Sequence, residues 1–382
     1  MNTMKNKIKY ITYYDVINSS IKRNYSLASV NKVNYIIDTL INIGYSVEII
    51  SASGVIEPKF RLFKGVCLKI EENKDLRLFF SFGGNKLIFK IFRKILSSLQ
   101  IFYFLIKHTK RDEEIIVYHS LGYIFPIYFA KKIKKFKLIL EVEEIYNDVK
   151  KSINLIIPEK RFLGIADKYI FPTILLDQTI NINNKPSIII HGVYKYEALY
   201  NEKFNDNRIH VVYAGTFDPN KGGVAAAAAA AYLSNSYHIH IIGFGTDYQI
   251  SLIKSYTNDV DHNGAAKLTY DGLLTGEEYK RFIQKCDIGL STQNPNAKFN
   301  ETSFPSKILS YISNGLSVIS IRIKAVETSK IGHCIYYYDE QKPECIAHAI
   351  KDLDIKYYKE KSKDVLNDLD EIFKSELIKF LS

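Results

Sequence analysis

Val211-Val212-Tyr213-Ala214-Gly215-Thr216-Phe217-Asp218-Pro219-Asn220-Lys221-Gly222-Gly223 is the stretch that decides the fold. An apolar β-run, His210–Tyr213, empties into a glycine- and proline-bearing loop, and the alanine-rich run Ala225–Ala231 follows as a helix. Where a strand passes through a glycine loop into a helix, free backbone N–H groups point outward and can meet an anion. Gly215 and Gly222 let backbone come close, Thr216 is polar, and Lys221 adds a mobile charge. A diphosphate could be held by such a loop without a metal. The competing reading is an ordinary connection with a solvated lysine.

The same alternation continues outward on the C-terminal side. Strand-like His238–Ile242 leads to the turn Gly243-Phe244-Gly245, Lys267–Tyr270 leads to Asp271-Gly272-Leu273-Leu274, and Ile288–Ser291 is a further strand. Helices are expected over Gly276–Cys286 and Ser306–Ser313, with a strand at Ser317–Ile321. This order predicts a parallel sheet with crossover helices. Glu301-Thr302-Ser303-Phe304-Pro305-Ser306-Lys307 is a second anion-receptive element. Pro305 suits a first helical turn, Ser303 is a candidate cap, and Ser306 and Lys307 would place hydroxyl and ammonium beside free amides. A merely well-capped helix is the alternative. In an open α/β domain both elements fall at the carboxyl edge of the sheet, where ligands bind. Gly272-Leu273 at that edge could offer backbone groups to a base, or be a plain turn.

The first half carries a like pattern. Lys7–Tyr14, Val47–Ile50, Ile115–Tyr118, Lys137–Val142, Tyr169–Pro172 and Ser187–Ile190 are strand-like, and Tyr25–Ile43 and Ile124–Ala130 helix-like. The expected organisation is an N-terminal domain over 1–190, a polar linker over 191–208 and a second α/β domain over 209–360. A C-terminal helix over 361–382 is expected to pack back on the first domain. Tyr13, Tyr14 and Asp15 end the first strand and His119 ends another, where an acceptor could be met; core packing is the alternative for each. Glu143 and Glu144, in Glu141-Val142-Glu143-Glu144, could bind hydroxyls or act as bases, or neutralise nearby lysines.

Composition sets outer limits. The 382 residues, 47% apolar and 24% charged, make a globular chain long enough for two domains. No apolar stretch nears the roughly 20 residues of a spanning helix, and no cleavable leader is legible at the start. Four scattered cysteines match neither a metal pair nor a disulfide framework, so a cytoplasmic setting is expected. Residues 1–200 hold 31 Lys and Arg against 18 Asp and Glu, a charge of +13, and the remainder carries −2, for a net +11. No nucleic-acid-binding module accompanies that charge. Leu87–His108, basic and apolar, fits instead a helix lying on the anionic inner face of a membrane, or one packed with a solvated basic edge. No Asp-x-Asp pair follows a strand, since Asp259/Asp261, Asp352/Asp354 and Asp368/Asp370 lie in polar or helical stretches. No metal and no cofactor is expected to be required.

Gly215 through Gly222, Gly243-Phe244-Gly245, the Gly272 loop, and Phe304–Tyr311 with Asn314-Gly315 and Val318-Ile319 resemble, in order and spacing, the donor-binding domain of GT-B glycosyltransferases of the group 1, or family four, type. Ala166–Ile170 and Ile190-His191-Gly192-Val193 resemble that family's last N-domain strand and interdomain crossing. The resemblance covers about residues 160–325. It implies an α/β fold of two Rossmann-like domains facing a cleft and a metal-independent, hexosyltransferase-like enzyme. The implied donor is a nucleotide diphosphate sugar, UDP first, and the implied acceptor a glycan or lipid-linked glycan in surface-polysaccharide synthesis. Gly215, Thr216, Lys221, Gly222 and Gly243 would then meet the diphosphate, Gly272 and Leu273 the base, and Phe304, Pro305, Ser306 and Lys307 the phosphates and sugar. Thr216 stands where the family has an arginine. The family's paired glutamates fall on Thr302 and Ser310, with Glu301 adjacent to the first and Ser310 able to reach a ribose hydroxyl. A nucleotide-sugar epimerase on the same fold and a degenerate glycan-binding or partner-binding module are the rival readings.

Overall fold

The structure, a computed structural model, describes residues 7–16, 19–146, 156–260 and 264–382. Asp261 and the basic start of the chain before Lys7 lie outside them. Two compact units divide the chain: Met1–Pro172 with Leu176–Ile190 and Lys374–Ser382, and Thr173–Leu175 with His191–Phe373.

The strands of the first unit are β1 (Lys7–Thr12), β2 (Ser46–Ser51), β3 (Leu62–Phe63), β4 (Val66–Glu71), β5 (Lys74–Leu78), β6 (Ser81–Phe82), β7 (Glu114–Tyr118), β8 (Lys137–Glu141), β9 (Lys168–Phe171) and β10 (Ser187–Ile189). Eight of them form one sheet in the order β10-β9-β8-β7-β1-β2-β5-β4. All its pairings are parallel except β4 on β5, a hairpin the sequence pattern does not reveal. Helices α1 (Leu27–Asn42), α2 (Leu87–His108), α3 (Ile124–Lys134), α4 (Ile156–Gly164) and α5 (Ile174–Ile180) connect them. Strands β7 and β8 bury Ile115, Val117, Leu138 and Leu140, the continuous apolar runs expected of strands covered on both faces. The N-terminal helix stops at Gly44, whose φ of +96° few side chains tolerate.

In the second unit β11 (Ile209–Thr216), β12 (Tyr237–Phe244), β13 (Lys267–Gly272), β14 (Ile288–Ser291), β15 (Ser317–Ile321) and β16 (Tyr336–Tyr338) lie in the order β13-β12-β11-β14-β15-β16, all parallel. That is the 3-2-1-4-5-6 order of a doubly wound Rossmann sheet, and the order reverses between β11 and β14. The first unit reverses likewise between β1 and β7. Helices α6 (Gly223–Ala228), α7 (Asp247–Val260), α8 (Gly276–Ile283), α9 (Ser306–Ser313), α10 (Lys324–Glu327), α11 (Pro343–Asp352) and α12 (Ile355–Leu381) complete the unit, the last contributing its end to the first unit.

Several local expectations shift. The strand β11 runs through Thr216, so Gly215 and Thr216 belong to a strand end and not to a loop. The alanine run is broken into α6 and a 3-10 segment, Ala229–Tyr232. Residues 191–208, expected as a linker, are fastened to the second unit: Lys280 pairs with Glu197 at 2.8 Å, and the Tyr200 N–H donates to Gln284 at 2.9 Å. Lys168 donates to the Phe380 carbonyl at 2.6 Å, which ties the end of α12 to the first sheet.

Candidate active site

The carboxyl ends of β11 and β14 lie at the switch point of the second sheet, and of the residues singled out in sequence Gly215, Lys221, Gly222, Gly243 and Lys307 lie there. Lys307 projects from the first turn of α9, and its Nζ lies 3.8 Å from the centre of the Tyr213 ring. A Cβ on Gly215 would stand 3.2 Å from that Nζ, so the absent side chain is what lets the ammonium lie against the strand end. Among the described residues the Lys307 Nζ has no hydrogen-bond partner. Burial, followed by the charge of Lys221, brings its pKa down to about 7. Lys221 donates to Gln293 Oε1 at 3.2 Å and lies 4.4 Å from the centre of the Phe299 ring. Two lysines are therefore held at one strand edge, and among the described residues no carboxylate is paired with Lys307.

Backbone geometry fixes this edge. Gly222 has a φ of +76°, and a Cβ there would lie 1.7 Å from the Thr292 carbonyl oxygen. The loop after β11 is thus pressed on the end of β14, and Thr292 Oγ1 donates to the Gly222 carbonyl at 2.8 Å. Gly243 makes a second close approach, since its Cβ would meet the Gly215 oxygen at 1.8 Å. Tyr213 donates to the Thr216 and Lys221 carbonyls at 2.7 and 3.0 Å, tying the loop down from inside. Tyr311 accepts the Ala214 N–H at 2.8 Å, which sets α9 against β11.

Some sequence readings are corrected. Ser303 does not cap α9; its hydroxyl donates to the Phe299 carbonyl at 2.6 Å. Pro305 is the residue before the first turn and not within it, and no side chain caps that helix. The aspartate of the loop, Asp218, accepts the Asn220 N–H at 2.8 Å and caps a short 3-10 turn over Pro219–Lys221, and α6 follows with Gly222 at its N-cap. Phe304 is buried with its ring stacked on His191 at 5.0 Å. Ser310 lies 3.2 Å from the Tyr279 hydroxyl, while Ser306 and Glu301 are exposed. Gly272, at a φ of +78°, ends the edge strand β13 with open space where a Cβ would point, and Leu273 is exposed.

In the first unit Tyr13, Tyr14, Asp15, His119, Glu143 and Glu144 follow the carboxyl ends of β1, β7 and β8, which are neighbours across its switch point. Tyr13 stacks on Tyr123 with centroids 4.6 Å apart. Tyr14 is core: it is buried and donates to Asn34 at 2.8 Å, and burial pushes its phenol up to about 12. Asp15 is also buried, which raises its carboxyl. His119 lies 3.4 Å from Glu159, and burial brings its pKa down to about 4, so the ring is neutral. Glu143 is paired with Lys32 at 2.5 Å and is engaged as a counter-ion.

Glu141 was passed over in favour of its neighbours. It is fully buried, accepts from the Tyr10 hydroxyl, and has no partner for Oε1 among the described residues. Burial, and then the Glu143 charge, raise its pKa to about 7, the value of a group able to give and take a proton near neutrality. Sequence offered one signal, a carboxylate ending the apolar strand Lys137–Glu141. Thr292 and Gln293 were missed too, although a polar pair directly after β14 at a switch point is where such groups belong.

No protein-family profile and no curated protein sequence matches the chain. Solved structures do. Sucrose-phosphate synthase from Thermosynechococcus elongatus superposes with a TM-score of 0.70 at 11% identity, over 99% of each chain. The trehalose-6-phosphate protein from E. coli bound with UDP-2-fluoro glucose gives 0.69 at 9% identity, over 97% of this chain and 98% of that one. An α,α-trehalose-phosphate synthase (UDP-forming) from Burkholderia xenovorans in complex with glucose-6-phosphate gives 0.67 at 10% identity, over 99% and 100%. At such identities the likeness is one of fold, and it runs the whole length of both partners. With both sheets wound as Rossmann units and full-length agreement with these synthases, the chain has the GT-B fold of two Rossmann-like domains.

Proposed function

We propose that the chain is a glycosyltransferase using a uridine diphosphate sugar, with the donor diphosphate held by Lys221, Lys307 and the Gly215-Thr216 strand end. The carrying observation is the Lys307 ammonium, buried on an aromatic ring without a hydrogen-bond partner. A cation taken out of water without a counter-ion is costly, and an anion arriving with the ligand accounts for it. Negative charge on the diphosphate grows as the glycosidic bond breaks, so two lysines there stabilise the leaving group more than the ground state. The structures of the same fold bound with UDP-2-fluoro glucose or described as UDP-forming support uridine as the base. Gly222, Gly243, Gly272, Leu273, Phe304, Pro305, Ser306 and Ser310 complete the donor side in this reading. Glu301, Glu143 and Glu144 remain candidate catalytic carboxylates, and Glu141 joins them.

The test is a thermal-shift titration with UDP in the absence of metal. UDP is expected to raise the melting temperature, and the effect has a defined pH dependence. Free Lys307 titrates near 7 and a bound diphosphate raises that value, so the complex binds more protons than the free protein above about pH 7. Affinity is therefore expected to fall between about pH 7 and 9, by up to roughly tenfold per unit, with proton uptake measurable by calorimetry in buffers of different ionisation enthalpy. Melting that ignores UDP at every pH would sink the donor assignment.

For the acceptor, we propose a glycan carried on a lipid at an anionic membrane surface. Among the described residues no helix is long and apolar enough to cross a membrane. Helix α2 instead exposes Leu87, Ile88, Ile91, Phe92, Ile95 and Leu99, and α3, packed on it, exposes Phe125, Phe129 and Ile133. Exposed Lys90, Lys94, Lys107 and Lys132 accompany them, a pairing of apolar area and positive charge that suits anionic headgroups. Arg93 has another task, donating to the Phe82 and Gly84 carbonyls at 3.0 Å. Vesicles containing anionic lipid should retain the protein, and added salt should release it. Equal partitioning onto neutral vesicles would remove the electrostatic part. A soluble sugar phosphate, as in the glucose-6-phosphate complex of the same fold, is the second reading, and product formation with one acceptor class but not the other decides between them.

A further inference from the structure

Three imidazoles lie buried side by side at the opposite end of the second sheet. His210 on β11 and His238 and His240 on β12 point to one face of the sheet, and a ring nitrogen of each comes within 4.8 Å of the other two. Phe204 covers them, stacked on His210 at 4.1 Å and on His240 at 4.9 Å. About five residues of extended strand separate His210 from Gly215, roughly 16 Å, so the cluster is distinct from the donor edge.

Hydrogen-bond partners constrain which nitrogens carry protons. An ionised carboxylate only accepts, so His210 Nε2, 2.7 Å from Asp206 Oδ1, is an N–H donor. The Thr269 hydroxyl lies 2.9 Å from Asp271 Oδ2 and 3.2 Å from His240 Nδ1, which itself stands 3.2 Å from Asp271 Oδ2. With the Thr269 proton directed to Asp271, His240 Nδ1 and His238 Nε2, the latter 3.1 Å from the hydroxyl oxygen, are both donors. Each ring is thereby left with one bare nitrogen. In that arrangement His210 Nδ1 and His240 Nε2 face each other at 2.9 Å, lone pair against lone pair, and a cation between them relieves the contact. A proton would need only two rings. Three imidazoles with nitrogens within 4.8 Å of one another, two of them held by carboxylates behind, form the donor set of a metal.

We propose that His210, His238 and His240 bind a divalent transition ion of the zinc type, oriented by Asp206 and Asp271, as a structural site joining the starts of β11 and β12. Tetrahedral zinc at about 2.0–2.1 Å from each nitrogen sets the nitrogens about 3.3 Å apart, so the 2.9 Å pair opens by only a few tenths of an ångström. Imidazole suits zinc and its neighbours, and the absence of thiolates from the cluster leaves a spectroscopically simple site.

The full chain, made without a histidine tag and stripped with chelator, is titrated with cobalt(II). Roughly one equivalent should bind with the visible absorption of a tetrahedral site, zinc should displace it, and either metal should raise the melting temperature. His240→Gln should abolish the absorption. Because a core imidazole could be needed for folding, Asp206→Asn, at the exposed carboxylate that holds His210 from behind, is the companion variant, expected to fold and to bind about 10–100-fold more weakly. A folded wild-type chain that takes up no cobalt overturns the assignment, as does unchanged binding in both variants. A low-field shared-proton resonance without metal uptake would also overturn it, identifying a proton as the cation between the rings.

Discussion

Lys307→Met is expected to lower turnover about 10²–10³-fold while making the ligand-free protein more stable. Both effects have one cause. The wild-type ammonium is buried on the Tyr213 ring with no hydrogen-bond partner among the described residues, so folding desolvates a charge that the unfolded chain keeps in water. Methionine fills a similar volume without charge, and replacement of a buried charge by an apolar group of like shape gains about 1–4 kcal/mol. The pH dependence checks the sign. Lys307 titrates near 7 in the folded protein against 10.5 for the free side chain, so the unfolded chain binds the extra proton between those values and wild-type stability rises with pH there. The stabilising effect of methionine should therefore be full below about pH 7 and shrink above it. Chemical denaturation at several pH values measures this, and initial rates on a confirmed donor and acceptor measure turnover. A variant that is less stable at every pH, or that keeps near-normal turnover, would show that Lys307 is a packing residue and that the diphosphate lies elsewhere.

Gly222→Ala is the second large effect, and it acts through backbone. Its added methyl would stand 1.7 Å from the Thr292 carbonyl oxygen, on a residue already at a φ of +76°. Since the obstacle is main chain and not a flexible side chain, the loop carrying Lys221 must part from the end of β14. A loss of roughly 2–4 kcal/mol in stability is expected, together with weaker UDP binding. Gly272→Ala is the control, because its φ of +78° is similar but a Cβ there meets nothing within 4 Å. That variant should lose about 1 kcal/mol from the left-handed backbone alone. Equal losses in the two would mean that the loop contact on Thr292 contributes little, and would remove the argument for a rigid anion site.

The fold was legible wherever one sheet period and one turn residue agreed. Ile288–Ser291, Ser306–Ser313 and Ser317–Ile321 form the elements their pattern predicts, because continuous apolar runs bounded by polar turns have only one way to be buried. The β4–β5 hairpin was not legible. Val66, Cys67 and Leu68 are exposed on an edge strand, so no buried face imprinted a period on them. Helix α9 was found at the right residues for partly the wrong reason, since Ser303 turns its hydroxyl to Phe299 and leaves the helix start without a side-chain cap.

By itself the sequence determined the βα alternation, the two Rossmann units and the nomination of Lys221 and Lys307, since these follow from local periodicity, turn chemistry and charge. Only tertiary structure decided that Lys307 Nζ lies on Tyr213 without a hydrogen-bond partner among the described residues, that Glu141 and not Glu143 is the fully buried carboxylate, and that His210 joins His238 and His240. The reason is physical. Desolvation and pairing depend on which strands become neighbours, and parallel strands such as β11 and β12 bring together residues about thirty positions apart that no local pattern relates.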